Sequence, residues 1–158
     1  MKRIVEGKGI NRIEKRAIEA LAILPIIKLV AEKIGRDEAV AILREVNQKE
    51  AFQRGRKMMK EKNVIEELAK DVDTWGEGGA WEIEVLEKTS TTYFFNVLRC
   101  PYYDKYKELG LEEFGVELSC CRDEPFARGL HPDLKLVRTK TIMEGADHCD
   151  FRYSLHAK

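Results

Sequence analysis

The sequence predicts an α+β fold in which N-terminal helices pack with a four-stranded antiparallel sheet made of two hairpins. Up to residue 75, apolar residues recur at helical spacing among many Lys, Arg and Glu. After the glycine-rich residues 76–79, short segments alternate apolar and polar residues, which is the period of a β-strand. A chain of 158 residues is long enough for one hydrophobic core. We therefore expect a single domain, residues 1–158, with a helical part at 1–75 and a second part at 76–158.

The first helix is predicted over residues 10–34. Asn11 is its expected N-cap, because Glu14 three residues later can complete a capping box. Gly35 stands where helices commonly end. The apolar middle of this segment, residues 17–31, is too short and too charged to span a bilayer, so we interpret it as a buried helix.

A second helix is expected to begin at Asp37, which can act as its cap. Apolar residues at helical spacing follow over residues 39–52. The helical pattern continues to Leu68, with Gly55 or Asn63 as the expected break.

Two hairpins are predicted in the second half of the chain. In the first, residues 81–85 and 93–98 are the strands and residues 89–91 the turn. In the second, residues 134–142 pair with residues 149–155. Helices are expected between the hairpins, over residues 102–109 and from 111 to about 128, with a break near Pro125.

The charge balance excludes some classes of partner. Lys plus Arg and Asp plus Glu both number 28, so the formal net charge is zero. A nucleic-acid binder should carry a net basic footprint, and a membrane-surface protein a polybasic segment, so neither partner is expected. Because no apolar secretory segment follows the basic start of the chain, we expect a cytoplasmic protein.

Cysteine is the residue type most suggestive of chemistry. All four cysteines lie in the second half of the chain, and in a reducing compartment they are more typical of packing, metal ligation or nucleophilic attack than of disulfides. Cys149 alternates with Phe151 and Tyr153, so it should face the core or a pocket. Cys100 ends a predicted strand at a loop, where functional side chains are often displayed. For both residues, simple packing is the alternative.

Cys120-Cys121-Arg122-Asp123 is the densest group of reactive side chains. Neighbouring residues on a helix point about 100° apart, so only one of the two thiols should share a site with Asp123. Arg122 could lower the pKa of that thiol and favour the nucleophilic thiolate. The alternative is a buried thiol beside a solvated ion pair.

The remaining candidates are single polar residues near turns. Arg138 could bind a substrate carboxylate, or it could lie on the solvent face of an edge strand. His131, Glu144 and His148 could transfer protons, although solvated side chains or a turn-side ion pair would look the same. The cysteines lack the short paired spacing of a structural zinc site, so no cofactor is expected and a metal ion is the less favoured alternative.

Three segments together resemble the L-2-amino-thiazoline-4-carboxylic acid hydrolase family. They are Arg99-Cys100-Pro101, Cys120-Cys121-Arg122-Asp123, and residues 136–153, with the sequence LVRTKTIMEGADHCDFRY. The last of these is the most specific. The resemblance extends over residues 10–155 and implies hydrolysis of a small cyclic amidine at a C–N or C–S bond, opening a thiazoline ring to a carbamoyl-cysteine.

The resemblance also suggests roles for the candidates. Cys120 or Cys121 would line one pocket with Asp123 and Cys149, and an activated water or a thiolate would attack the amidine carbon. A carboxylate would hold the amidinium, a cation would hold the substrate carboxylate, and a histidine would protonate the leaving sulfur. The candidates for these three roles are Asp123 or Glu144, Arg99 or Arg138, and His131 or His148.

A rival interpretation starts from the terminal Gly-x-x-x-Cys-x-Phe segment. It is similar to small-molecule-binding domains related to 4-vinyl reductases, which implies a sensor that binds an apolar ligand without turning it over. The hydrolase predicts a polar pocket where thiol, carboxylate and cation meet, whereas the sensor predicts an apolar cavity. The partner in both cases is a small molecule, and the helical part could also support a homodimer.

Overall fold

In the described part of the chain, helices pack against a four-stranded antiparallel sheet, as predicted. The computed structural model describes residues 9–59, 62–76 and 81–156, so most of the glycine-rich breaker predicted at 76–79 lies outside the described residues. In chain order the elements are α1 (Arg12–Ile34), α2 (Arg36–Met58), α3 (Val64–Asp73), β1 (Glu82–Lys88), β2 (Thr92–Arg99), α4 (Pro101–Glu108), α5 (Gly115–Leu118), α6 (Asp123–Leu130), β3 (Leu134–Val137) and β4 (Cys149–Leu155).

Helix α1 begins and ends as the sequence predicts, but it is not buried on both sides. The Asn11 side chain accepts the backbone N–H of Glu14, and the Glu14 side chain accepts that of Asn11, which completes the capping box. Gly35 ends the helix with a φ of 95°. One face packs on α2 and α4. The prediction of a buried helix is wrong for the opposite face, whose large apolar side chains are more than half exposed: Ile18, Leu21, Ile26 and Leu29.

Helix α2 starts and stops for local backbone reasons. Asp37 lies in its first turn and the N-cap is Gly35, so the prediction that Asp37 caps the helix is wrong. An acidic side chain in the first turn still interacts favourably with the helix dipole. Of the two breaks considered, the structure selects Asn63, which adopts a left-handed conformation immediately before α3.

Gly55 instead makes a close contact between α2 and α6. A Cβ atom at Gly55 would collide with the backbone oxygen of Phe126, and a Cβ at Gly129 would collide with the backbone oxygen of Phe52. The two helix backbones therefore touch, which only glycine permits at these points. This contact fixes α6, whose first residue is Asp123, against the helix that carries Arg54.

The sheet has the order β1-β2-β4-β3, and every neighbouring pair is antiparallel. The predicted hairpin pairing is confirmed, and Cys149, Phe151 and Tyr153 all face inward as their alternation indicated. Phe95 on β2 pairs with Phe151 on β4, and their rings stack at 4.9 Å.

Strand β3 is shorter than the predicted span of residues 134–142, because it ends at Val137. Beyond Val137, hydrogen bonds from a side chain replace the backbone hydrogen bonds between strands. The carboxylate of Asp150 accepts the backbone N–H groups of Thr139 and Lys140 at 2.9 and 2.8 Å. Arg138 therefore lies in a clamped loop rather than on a strand.

The region predicted as a helix from residue 111 to about 128, broken near Pro125, is a series of short helices and 3₁₀ turns. A 3₁₀ turn at Cys120–Arg122 separates α5 from α6, and Ser119 lies at the junction. The break is thus not at Pro125, which lies in the first turn of α6. A proline is tolerated there because the first N–H groups of a helix have no partner within the helix.

Two hydrophobic clusters form among the described residues. One lies between the inner face of the sheet and helices α2, α3 and α6, and includes Phe95, Phe126 and Phe151. The other lies between α1, α2, α4 and the segment after α4, and includes Leu43 and Tyr106. No helix within the described ranges is both long and apolar enough to cross a membrane.

Candidate active site

One cavity lies where the helices meet the sheet, and it receives side chains from both halves of the chain. Its volume is about 80 Å³, which is space for several water molecules and hence for a small ligand. Helices α1, α2 and α3, strands β2 and β4 and the 3₁₀ turn at Cys120–Arg122 all contribute to its wall.

Three of the four thiols line this cavity: Cys100, Cys120 and Cys149. Cys121 does not, and its S–H group donates to the backbone oxygen of Glu117 at 3.1 Å. In a 3₁₀ turn neighbouring side chains point a third of a turn apart, so one thiol reaches the cavity while the next is directed elsewhere. Cys149 also accepts the backbone N–H of Ile142 at 3.2 Å.

Burial keeps these thiols protonated at neutral pH. It raises the pKa of Cys100 to about 12 and that of Cys120 well above its usual value, and it also raises the pKa of Cys149. For Cys121, burial raises the pKa to about 11 even though the Arg122 charge acts in the opposite direction. The Arg122 charge thus acts in the expected direction, but burial has the larger effect on the pKa of Cys121.

Asp123 and Arg138 form a charged pair in the cavity wall beside Cys120. Arg138 donates to one carboxylate oxygen of Asp123 and to the backbone oxygen of Cys120, the latter at 2.9 Å, and its guanidinium lies over the ring of Phe151. Burial raises the pKa of Asp123, although the Arg138 charge opposes the shift. The Asp123 side chain is still 23% exposed, so it remains accessible from the cavity.

The helical half supplies a second charged group that the sequence did not reveal. Arg12 on α1 and Arg54 on α2 both approach the same oxygen of Asp71 on α3, at 3.6 and 2.6 Å. The indole N–H of Trp75 lies 3.3 Å from the other oxygen of this carboxylate. In the sequence these arginines belong to helices rich in Lys, Arg and Glu and look like solvated residues. No local pattern distinguishes them.

Other polar groups complete the wall. Arg16 pairs with Glu19 at 2.7 Å, while Arg122 donates to Glu50, Asn47 and the backbone oxygen of Leu118. The indole N–H of Trp81 is buried and has no hydrogen-bond partner in the described part of the chain. A buried donor without a partner is unfavourable, so an acceptor atom of a ligand would be stabilised there.

The other candidates from the sequence lie outside the cavity wall. Arg99 pairs with Asp104 at 3.1 Å, and the Nδ1 atom of His131 accepts the backbone N–H of Asp133. Glu144 accepts from the Thr141 hydroxyl at 2.7 Å, and His148 contacts Asp147. Of the proposed substrate-binding residues, only Cys100 and Arg138 line the cavity; the wall does not include Arg99, His131, Glu144 or His148.

The donor set of the cavity does not resemble a metal site. Within residues 9–59, 62–76 and 81–156, no three His, Cys, Asp or Glu side chains converge so that they could hold a metal ion. The ionic partners in the wall are arginines and carboxylates: Arg138 with Asp123, and Arg12 and Arg54 with Asp71. This arrangement suits a charged organic molecule.

Comparison with known proteins identifies a family. The model of the L-2-amino-thiazoline-4-carboxylic acid hydrolase family matches residues 15–153, which is most of the chain. The matched range includes the three cavity thiols, Asp123 and Arg138, and it begins after Arg12. No match is found among the curated proteins.

Proposed function

Because the chain belongs to the L-2-amino-thiazoline-4-carboxylic acid hydrolase family, we propose that it opens the ring of a small cyclic amidine of the 2-aminothiazoline-4-carboxylate type by hydrolysis. The observation that carries this proposal is the cavity itself. Thiol, carboxylate and guanidinium groups converge in its wall, which is the combination that the hydrolase hypothesis predicts.

Asp123 is suited to hold the amidine end of the substrate. One of its oxygens is occupied by Arg138, and the described part of the chain gives the side chain no other hydrogen-bond partner. An amidinium can donate to the remaining oxygen in the way a guanidinium does. The raised pKa of Asp123 also makes it a stronger base than an ordinary aspartate, which suits proton transfer.

Cys120 is the proposed nucleophile. Burial disfavours the charged form of its thiol and raises its pKa. A cationic amidinium bound beside it would favour the thiolate, since a nearby opposite charge lowers a thiol pKa. The substrate would thus activate the group that attacks it, and the thiol would stay unreactive in its absence.

The proposed reaction has two steps, attack by Cys120 and then attack by water. The Cys120 sulfur bonds to the amidine carbon, its proton passes to Asp123, the ring C–S bond breaks, and Asp123 returns the proton to the leaving ring sulfur. Water next attacks the same carbon and displaces the Cys120 sulfur, which recovers a proton. The sum is substrate plus water giving the carbamoyl-cysteine. We assign Cys100 and Cys149 to the wall of the reacting end.

The rival function, a sensor for apolar ligands, receives less support. It requires a cavity lined by apolar side chains, whereas this wall carries several arginines together with Asp71 and Asp123. Burying these charges without a polar ligand or ordered water would be unfavourable.

Ring opening of 2-aminothiazoline-4-carboxylate by the purified protein tests the proposal, followed by NMR and by mass spectrometry of the protein. Cys120→Ala should lower the rate on the order of a thousandfold, as loss of a nucleophile does. It should also abolish a covalent adduct equal in mass to one substrate molecule. Cys121→Ala is the matched control and should retain the rate, since its thiol lies outside the cavity.

Different failures would have different meanings. No ring opening by the wild-type protein would overturn the proposed function. Full activity in Cys120→Ala would overturn the thiol step but leave hydrolysis by an activated water, in which case Asp123→Asn should still be inactive. Loss of activity in Cys121→Ala alone would show that the wrong thiol was chosen.

A further inference from the structure

We propose that Arg12 and Arg54 form a carboxylate-binding subsite, so that the cavity selects small ligands that carry an anionic carboxylate. The inference takes its ligand class from the proposed function, but it concerns a different part of the wall. Both arginines come from the helical half of the chain, on α1 and α2. The subsite therefore differs from the cation that the family resemblance suggests for the substrate carboxylate, which is Arg99 or Arg138.

The hydrogen-bonding state of the two guanidinium groups is the first argument. Arg12 donates through Nη2 to the Thr74 hydroxyl at 2.9 Å, and Arg54 donates through Nη2 to Asp71 at 2.6 Å. Among the described residues, their Nε and Nη1 groups have no hydrogen-bond partner. Each arginine therefore retains N–H donors in the fork geometry that matches a carboxylate.

Charge is the second argument. The two guanidinium groups share the single carboxylate of Asp71, whose side chain is 7% exposed. This group of three residues thus carries one positive charge in excess, in a wall where burial weakens screening by water. A ligand carboxylate would neutralise that charge. The buried Trp81 N–H in the same wall would gain an acceptor if the ligand placed an oxygen near it.

The other cavity arginines are already committed. Arg138 is paired with Asp123, Arg16 is paired with Glu19, and Arg122 binds Glu50, Asn47 and a backbone oxygen. The side chains of these three arginines are only 14–16% exposed, compared with 27% for Arg12 and 38% for Arg54. Arg12 and Arg54 are therefore the more accessible cations.

The subsite lies within reach of the reacting group. Arg12, Arg54 and Asp123 all line the same cavity of about 80 Å³. A ligand that binds Arg12 and Arg54 through its carboxylate could therefore present its amidine to Asp123. Binding at two points would fix which face of the ring meets Cys120.

Calorimetric binding of three probes separates this inference from the proposed function. Thiazolidine-4-carboxylate has the carboxylate but no amidine to hydrolyse, 2-aminothiazoline has the amidine but no carboxylate, and 2-aminothiazoline-4-carboxylate has both. The two amidines are measured in the Cys120→Ala background, so that they are not hydrolysed during the titration. Arg12→Gln and Arg54→Gln should each weaken binding of the two carboxylates about 10- to 100-fold, the loss typical of a charge-assisted hydrogen bond. Binding of 2-aminothiazoline should not change.

Each single variant leaves Asp71 with one arginine partner, which protects the fold. Arg56→Gln is the matched control, because Arg56 is an exposed residue of α2 that does not line the cavity. Retention of carboxylate binding in both cavity variants would overturn the inference, as would failure of the wild-type protein to bind thiazolidine-4-carboxylate. If that probe binds and the arginine variants lose it, the subsite stands even when no ring opening is observed.

Discussion

At the scale of single residues, the sequence predicted positions on strands better than positions on turns. Cys149 was correctly expected to face inward, because a strand has a strict two-residue period. The choice between Cys120 and Cys121 stayed open, since it depends on the phase of a short 3₁₀ turn that no repeating pattern specifies. The structure selects Cys120 as the thiol that lines the cavity.

The cavity arginines show a second limit of prediction from sequence, which concerns contacts between distant segments. Arg12, Arg54 and Asp71 are far apart in the chain, and each looks like part of a solvated helix face. Their shared ion pair depends on how three helices pack, which long-range contacts decide. The candidate residues predicted from the sequence all lie in the second half of the chain, whereas the helical half supplies much of the charge around the cavity.

Asp123 gives a prediction for the pH dependence of the reaction. As the proposed base, Asp123 must be ionised, so the rate should fall as the pH decreases, with a midpoint above the ordinary value of 3.8 because burial raises the pKa despite Arg138. Asp123→Asn should remove this acid limb and lower the rate by at least about 100-fold. Initial rates across the pH range, with circular dichroism to confirm folding, would measure both effects.

The raised pKa of Asp123 also affects the stability of the fold, which should change with pH in the opposite direction to the rate. A folded-state pKa above the unfolded value means that the folded protein binds more protons, so Asp123 contributes less to stability as pH rises from 3.8 through its raised pKa. Glu124→Gln is the control for the rate and for the stability measured as functions of pH, since Glu124 is the exposed neighbour of Asp123. An acid limb that persists in Asp123→Asn would assign the titration to another group.

At the scale of elements, α1 illustrates how a correct pattern can give a wrong conclusion. Apolar residues occur all around this helix, which is typical of a helix buried on every side. Its bounds and capping box were predicted correctly, but within the described chain only one face is covered. The prediction for the segment before α6 is wrong for another reason. Short turns at Ser119 and Cys120 replace a continuous helix, and a periodic sequence pattern can be recognised only in longer elements than these.

The contact between α2 and α6 predicts an element-level effect on stability and activity. In Gly129→Ala the new Cβ would meet the backbone of Phe52 and Arg56, and neither can move as a flexible side chain could. Overpacking of about 3 kcal/mol, less about 1 kcal/mol of improved helix propensity, should lower the free energy of unfolding by about 2 kcal/mol. Because α6 begins at Asp123, ring opening should slow as well.

Urea unfolding and initial rates would test this contact. Gly9→Ala is the matched control, since a Cβ at Gly9 meets nothing within 4 Å and should leave both quantities nearly unchanged. Equal stability of Gly129→Ala and the wild-type protein would mean that α2 and α6 do not touch as closely as described.

At the scale of the whole molecule, the cavity lies at the junction of the two hydrophobic clusters. Phe126 and Phe151 belong to the cluster under the sheet, whereas Met143 belongs to the helical cluster, and all three line the cavity. The α+β class was predictable because strand and helix periods differ. The meeting of the two clusters was not predictable, because it depends on contacts between distant segments.

The expected homodimer stays a prediction that the mass in solution would check.

The position of the cavity makes the single-domain expectation testable. Both tryptophans of the chain, Trp75 and Trp81, lie in the cavity wall, so indole fluorescence reports on the place where the clusters meet. Far-ultraviolet circular dichroism reports mainly on the helices. If residues 1–158 form one cooperative unit, the two signals should change at the same urea concentration. A ligand that binds only the folded cavity should shift both transitions together, by an amount set by its concentration relative to Kd. A fluorescence transition that precedes the loss of helix would instead mean that the sheet part separates from the helical part first, and the chain would then behave as two units that share one site.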